Sequence, residues 1–270
     1  MIHTIELFPE INAQLILLLK DLSIEDWHRE TVLPGRTVKD IASHILDCSL
    51  RKLSIQRDGY TNIKTSVTSF EGLVEFIQKM NRDWIEASRR LSPQILISLL
   101  ELSENWYYDF VKTLNPNDKA LFAVAWAGEL ESKNWFDIAR DYTEKWHHQM
   151  QIRLAVNKPG INSRKLFFSV IQTFMLGLPH AYRDVRGSGS VQVEVTGEAH
   201  GIWYLENKGD KWKLVSELKY EPQVEVKLSG DIAWRLLTDS ISKQKAAKHI
   251  QISGNKDLAE PFLDMRTVMR

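Results

Sequence analysis

The chain has 270 residues, 43% hydrophobic and 26% charged, enough for one large domain or two of ordinary size, and disordered or collagen-like classes are excluded. Lys+Arg and Asp+Glu both number 35, so zero net charge provides no general grip on nucleic acid or an anionic membrane. A single Cys48 rules out an internal disulfide and a multi-cysteine zinc site, which fits a reducing compartment. The longest strongly apolar stretch, Leu15 to Leu19, is far too short to span a bilayer, and no basic segment leads into an apolar run at the N-terminus. A cytoplasmic protein is expected.

Apolar residues recur at three and four over the first part of the chain, the spacing that lines one helix face. The first helix is predicted from Thr4 to Leu22, with Ile5, Phe8, Ile11, Leu15, Leu18, Leu19 and Leu22 inward. Ser23 caps a short turn carrying Trp27. Pro34-Gly35 is a turn, and Thr37 is a natural N-cap with Asp40 three residues on, so a second helix follows from Val38 to about Ile55. Ser69 starts a third helix to about Leu91, and Ser92-Pro93 a fourth to about Leu114. Beyond the break at Asn115-Pro-Asn-Asp118 and a loop at Ala125-Trp-Ala-Gly128, a last helix spans about Ser132 to Val156, with Trp135, Ile138, Ala139, Tyr142 and Trp146 along one side. Short connections between these helices predict an antiparallel bundle.

Composition shifts near Pro159-Gly160: residues 1–157 hold 18 Lys/Arg against 22 Asp/Glu, and the remainder 17 against 13. Past Gly187-Ser-Gly189 the period falls to two. Val191, Val193 and Val195 alternate with polar residues, Ile202 to Leu205 and Trp212 to Val215 flank a Gly209-Asp210 turn, and Val224, Val226 and Leu228 alternate again. These read as antiparallel strands. Gly230-Asp231 opens a helix through Leu237, His249 to Ile252 reads as a strand, and Asn255 to Met269 as a closing helix. The expected organisation is a helical bundle over 1–157, a partly helical connection over 158–188, and a small α+β domain over 189–270.

Chemistry concentrates in Asp141-Tyr-Thr-Glu-Lys-Trp-His-His-Gln-Met-Gln-Ile-Arg153. On a helix Glu144 and His148, four apart, stand one above the other and can hold one metal ion. His147 points about 100° away, and Glu144 with His147 at three apart remains the weaker pairing. Catalytic zinc takes three protein ligands and leaves a fourth position open. His44, on the apolar side of its helix with Ile41, Ile45 and Cys48, can supply the third. The same residues also fit a bland reading, a hydrogen-bonded core histidine beside a solvated Glu/His pair.

The order Trp27, Thr31, Pro34, Thr37-Val-Lys-Asp40, His44, Glu144-x-x-x-His148 and Gln151-Ile-Arg153 resembles the DinB-like metal-binding bundle, and more narrowly the N-terminal domain of mycothiol-dependent maleylpyruvate isomerases. The second part, with Gly230-Asp231 and Gly254-Asn-Lys-Asp-Leu258, resembles the sterol-carrier-protein-like domain of the same enzymes. The likeness covers nearly the whole chain, although Arg36 stands where that family usually has Trp. It implies an α + (α+β) fold, and His44, Glu144 and His148 as ligands of a divalent metal, zinc first and nickel second. It also implies a low-molecular-weight thiol as cosubstrate and a small electrophilic substrate. The expected activity is thiol-dependent S-transfer or cis/trans isomerisation by a monomer or homodimer. The alternatives are metal-dependent hydrolysis and a non-enzymatic, stress-associated metal-binding protein. Cys48, one turn after His44, reads either as a sulfur near the metal or as a small buried residue. Arg51 and Arg153 read either as contacts for an anionic substrate or as solvated surface.

Overall fold

Two capped turns set the start of the N-terminal helices. In the computed structural model, which describes residues 1–60, 69–209 and 211–268, a 3-10 turn at Ile5–Leu7 runs into α1 (Phe8–Lys20). Ser23 then closes a capping box with Asp26 to begin α2 (Ile24–His28), which buries Trp27. The chain reverses at Pro34-Gly35, where Gly35 takes φ +69°, a left-handed conformation that costs a residue without Cβ little. A Glu30–Thr37 bridge closes this reversal and delivers Thr37 to the head of α3 (Val38–Lys52). There the Thr37 hydroxyl accepts from Asp40 N–H, and the Asp40 carboxylate accepts from Thr37 N–H at 2.9 Å. Both boxes are legible in the sequence, because they depend on residues three apart and on nothing distant.

A π-helical turn at Leu53–Arg57 extends α3, and α4 (Phe70–Ser88) and α5 (Pro93–Val111) follow behind the serine caps Ser69 and Ser92. The long helix α6 spans Asn134–Ala155. Internal packing divides the chain into two units, and the division falls inside α6 between Thr143 and Glu144. One unit comprises residues 3–121 and 144–160, within which α3 packs on α4 and α5, and α5 on α1. Its core joins Leu15, Leu18 and Leu19 of α1, Ile41, Ile45 and Leu46 of α3, Leu96 and Leu100 of α5, and Ile152 and Val156 near the end of α6. Each fully buried aliphatic side chain here contributes about 1.5–3 kcal/mol.

The second unit comprises residues 1–2, 122–143 and 161–268. Residues 122–143 belong here because Trp126 packs edge-on against Phe136 and Phe174 and the Tyr142 hydroxyl donates to Leu166 C=O at 2.9 Å. In chain order α7 (Arg164–Met175) and the single turn α8 (Leu178–Ala181) come before the strands. Five strands follow: β1 (Gly189–Thr196), β2 (Gly201–Asn207), β3 (Trp212–Val215), β4 (Val224–Ser229) and β5 (Gln251–Gly254), in spatial order β3-β2-β1-β4-β5. The all-antiparallel expectation is corrected here, since β1 and β4 run parallel, with Val191 beside Val224, Val193 beside Val226 and Val195 beside Leu228. Alternation reports only which face is buried, not which strand lies alongside or in which direction. That buried valine face is covered by α9 (Gly230–Leu237), capped by Ser229.

After α10 (Lys243–Ala246), the closing helix is also corrected. A 3-10 turn at Lys256–Leu258 and the five-residue α11 (Glu260–Asp264) replace the long helix, and Met265 is already extended at ψ 135°. The continuous apolar pattern there, Leu258, Phe262, Leu263 and Met265, is satisfied by a turn and an extended tail as well as by a helix. Asp210 and Met269, named in the strand turn and the closing helix, lie outside the described residues. Among the described residues no helix is long and apolar enough to cross a membrane.

Candidate metal centre

The second half of α6 presents two polar rows inside the bundle unit. Lys145, Gln149 and Arg153, four apart, form the row that holds the helix in place. The Lys145 ammonium donates to both carboxylate oxygens of Glu104 on α5, at 2.6 and 2.7 Å, and to the Ser49 hydroxyl of α3 at 2.6 Å. Gln149 donates to Ile11 C=O at 2.9 Å. Arg153 donates to the carbonyls of Pro159 and Gln14 and to the Gln149 side-chain oxygen. Arg153 is therefore a buried clamp between α1 and the end of α6, which corrects the reading of a solvated surface residue. Composition carried no signal for this row, because a lysine or arginine on a helix normally faces water and only the packing of α1, α3 and α5 around α6 makes these residues internal.

The other row carries Glu144, His148 and Gln151. Across from it, α3 contributes His44, one turn beyond the Asp40 capping residue, so the local signal that starts α3 also sets the rotation of His44. Ligand atoms of His44, Glu144 and His148 lie within 4.8 Å of one another. The His44 and His148 rings meet edge to face with centroids 4.8 Å apart, and His148 Nε2 lies 3.3 Å from Glu144 Oε2. His147 is nearer than helical geometry alone suggests. Its ring lies 4.1 Å from that of His148, although its Nε2 stands 3.9 Å from Glu144 Oε2 and it is outside the three-residue cluster.

Gln151, which the sequence offered only as part of a resemblance, orients the His148 ring. Its side-chain oxygen lies 2.8 Å from His148 Nδ1 and can only accept, so Nδ1 carries the proton. In the neutral ring Nε2 is then a lone pair facing a carboxylate oxygen at 3.3 Å, two acceptors with a cation's place between them. Burial, reinforced by the neighbouring His148, drives the His44 imidazole down to about 3, against the pull of Glu144, so its ring is neutral near pH 7 and one ring nitrogen keeps a lone pair. Two neutral imidazoles and one carboxylate are the donor set of a divalent transition metal, and the residues present fit such an ion.

Cys48 stands beside this cluster, its sulfur 3.6 Å from His44 Nε2. Burial pushes its thiol up to about 11, with Arg51 pulling more weakly the other way, so near neutral pH it is a protonated thiol. Arg51 is held loosely, 3.5 Å from both Asp47 and Asn81 and 3.9 Å from the Cys48 sulfur. Replacing Gln151 by Leu should weaken metal affinity about 10–100-fold, the range for losing the outer hydrogen bond of a ligating histidine, while Gln151→Glu retains it. Competition with a chelator reads this directly, and an unchanged affinity in Gln151→Leu would show that the amide does not orient the ring.

A bundle with an inward His-Glu-His cluster, joined to an α+β unit with a mixed five-stranded sheet, defines the class: a two-part protein with a three-donor pocket inside its helices. Among solved structures, mycothiol-dependent maleylpyruvate isomerase has this architecture. Its crystal structure matches 92% of this chain and 91% of its own at 12% identity with TM-score 0.55, and a histidine variant of that enzyme matches over the same shares at 11% identity and TM-score 0.55. The shared fold therefore extends over nearly the whole chain. A sterol carrier protein domain of Helicoverpa armigera overlaps 37% of this chain at 24% identity with TM-score 0.25, too slight an overlay to add to the fold assignment. Compared by sequence, the chain matches no protein-family model and no curated protein.

Proposed function

We propose that this protein is a divalent-metal-dependent enzyme that uses a low-molecular-weight thiol, as an S-transferase or as a cis/trans isomerase of the maleylpyruvate isomerase kind. The convergence of His44, Glu144 and His148 within 4.8 Å, with His148 Nδ1 committed to Gln151, carries this reading. The fold shared with the isomerase supports it. Zinc suits the donor set best and nickel second.

His44, Glu144 and His148 would hold the ion, which would lower the pKa of a thiol or water bound to it to near neutrality. The chain's own residues prepare the pocket. Glu144 supplies the single negative charge, the two imidazoles add none, and Gln151 keeps His148 turned toward the pocket. The thiol sulfur adds to an electrophilic carbon of the substrate. With a cis-enone, the carbon–carbon bond of the adduct is single and rotates, and elimination of the thiol yields the trans isomer and regenerates the cosubstrate. With another electrophile the new carbon–sulfur bond remains and the leaving group departs. A cytoplasmic setting, where small thiols stay reduced, belongs to this reading.

Cobalt substitution tests it. The cobalt-loaded protein titrated with mycothiol, glutathione or cysteine should develop a sulfur-to-metal charge-transfer band, because thiolate is a soft donor and imidazole and carboxylate are not. Cys48→Ser should develop the same band. A band present without added thiol and lost in Cys48→Ser would assign the open position to Cys48. No spectral response to any of the three thiols would reject thiol chemistry and leave hydrolysis or a structural ion.

A further inference from the structure

A cleft unrelated to the metal centre opens in the second unit between α9, the turn that follows it and α10, with a volume of about 680 Å³. That is the size of a small-molecule site. Its walls carry an excess of positive charge. Lys245 and Lys248 stand three apart across α10 and the 3-10 turn at Ala247–His249, a spacing that sets both on one side, and Arg235 of α9 joins them. Nearby acids are committed to other partners: Glu260 and Asp264 to Lys243 at 2.5 and 2.6 Å, and Asp239 to Arg266 at 3.3 Å. Lys245 and Lys248 have no ion pair among the described residues. The carboxylate that lines the cleft, Asp231, has both oxygens engaged, Oδ1 by Trp234 Nε1 at 3.2 Å and Oδ2 by Arg235 Nη1 at 3.3 Å. Arg235 is left with donors to spare, its Nε being buried with no hydrogen-bond partner among the described residues.

We propose that this cleft binds a small organic phosphate, held by Lys245, Lys248 and Arg235. The charge decides the headgroup. Three cations against Asp231 leave an excess of two positive charges, which a phosphomonoester, at about −1.5 to −2 near pH 7, balances and a single carboxylate does not. A guanidinium fork beside two ammonium groups also matches the three acceptor oxygens of such an ester. Ile232 and Ile241 line the same cleft and give the organic part of the ligand an apolar wall, which inorganic phosphate cannot use. Neither isoleucine is exposed, so the cleft has no apolar rim to enter a bilayer, and the geometry suits a dissolved ester rather than a lipid headgroup.

Titration calorimetry of the full chain at low salt should show phenyl phosphate binding once per chain, about 10-fold more tightly than inorganic phosphate because the ring reaches the isoleucines. Lys245→Ala and Lys248→Ala should each weaken phenyl phosphate about 10-fold, the loss of one charge-assisted hydrogen bond. Both lysines are exposed, so the thermal melts of these variants should match that of the unaltered chain. Lys256→Ala, at an exposed lysine outside the cleft, should bind as the unaltered chain does. His148→Ala should also bind equally, which separates this site from the metal centre. Failure to bind millimolar phenyl phosphate overturns the proposal, as do equal affinities for phenyl phosphate and inorganic phosphate or an equal loss in Lys256→Ala. Binding lost in His148→Ala overturns it as well, by moving the anion to the metal.

Discussion

His148→Ala purified from zinc-containing medium should contain almost no metal, where the unaltered chain should contain about one ion. The loss should exceed the roughly 10–100-fold cost of removing an outer hydrogen bond, because the lone pair itself is gone and two donors remain. His44→Ala should behave alike, since its ring is the only donor that α3 contributes to the cluster. His147→Ala is the informative comparison, as this ring lies tilted beside that of His148 with its Nε2 3.9 Å from the shared carboxylate. It should retain the ion, and equal loss at His147 would instead establish the three-apart pairing with Glu144. Thermal melting with and without added zinc gives a second readout. An ion at 1,000 times its dissociation constant stabilises by about 4 kcal/mol, so zinc should raise the melting temperature of the unaltered chain and leave His44→Ala and His148→Ala unmoved.

Glu104→Gln should be the most destabilising single change outside the apolar core. Glu104 and Lys145 are both nearly inaccessible to water, and the ammonium reaches two carboxylate oxygens and the Ser49 hydroxyl. Removing the negative charge leaves a buried cation above the Tyr107 ring, whose centroid is 4.7 Å away and compensates only part of the loss. The expected cost is about 3–5 kcal/mol. At about 2–4 °C per kcal/mol for a chain of this size, that is a fall of roughly 10 °C in melting temperature. The double substitution Glu104→Leu with Lys145→Met should recover most of it, because an apolar pair of similar volume needs no compensating charge. If Glu104→Gln costs less than about 1 kcal/mol, the pair behaves as an exposed one and does not hold α6.

The cluster and the clamp differ in how far a sequence can reveal them. Glu144 and His148 are legible together because a helix places residues four apart on one face, and His44 because it follows a capping box by one turn on an apolar side. Lys145, Glu104 and Ser49 come from three helices with 41 and 96 residues between the bonded groups, so no local period links them. Gln151 follows His148 by three residues, yet its bond to His148 requires a rotamer choice that packing makes.

By itself the sequence determined the local events: the capping boxes of Ser23 and Thr37, the reversal at Gly35, the change of period from 3.6 to 2 near Val191, and the Glu144–His148 half of the His-Glu-His cluster on α6. Each rests on hydrogen bonds or spacing within a few residues. Only the tertiary structure decided the parallel alignment of β1 with β4, the short end of the chain at α11, the burial of Arg153, and the place of residues 122–143 beside Phe174. Those outcomes depend on which surfaces remain for a segment to bury once its neighbours are in place. An alternating or helical pattern says that a face must be covered, and the packed chain supplies the partner and its direction.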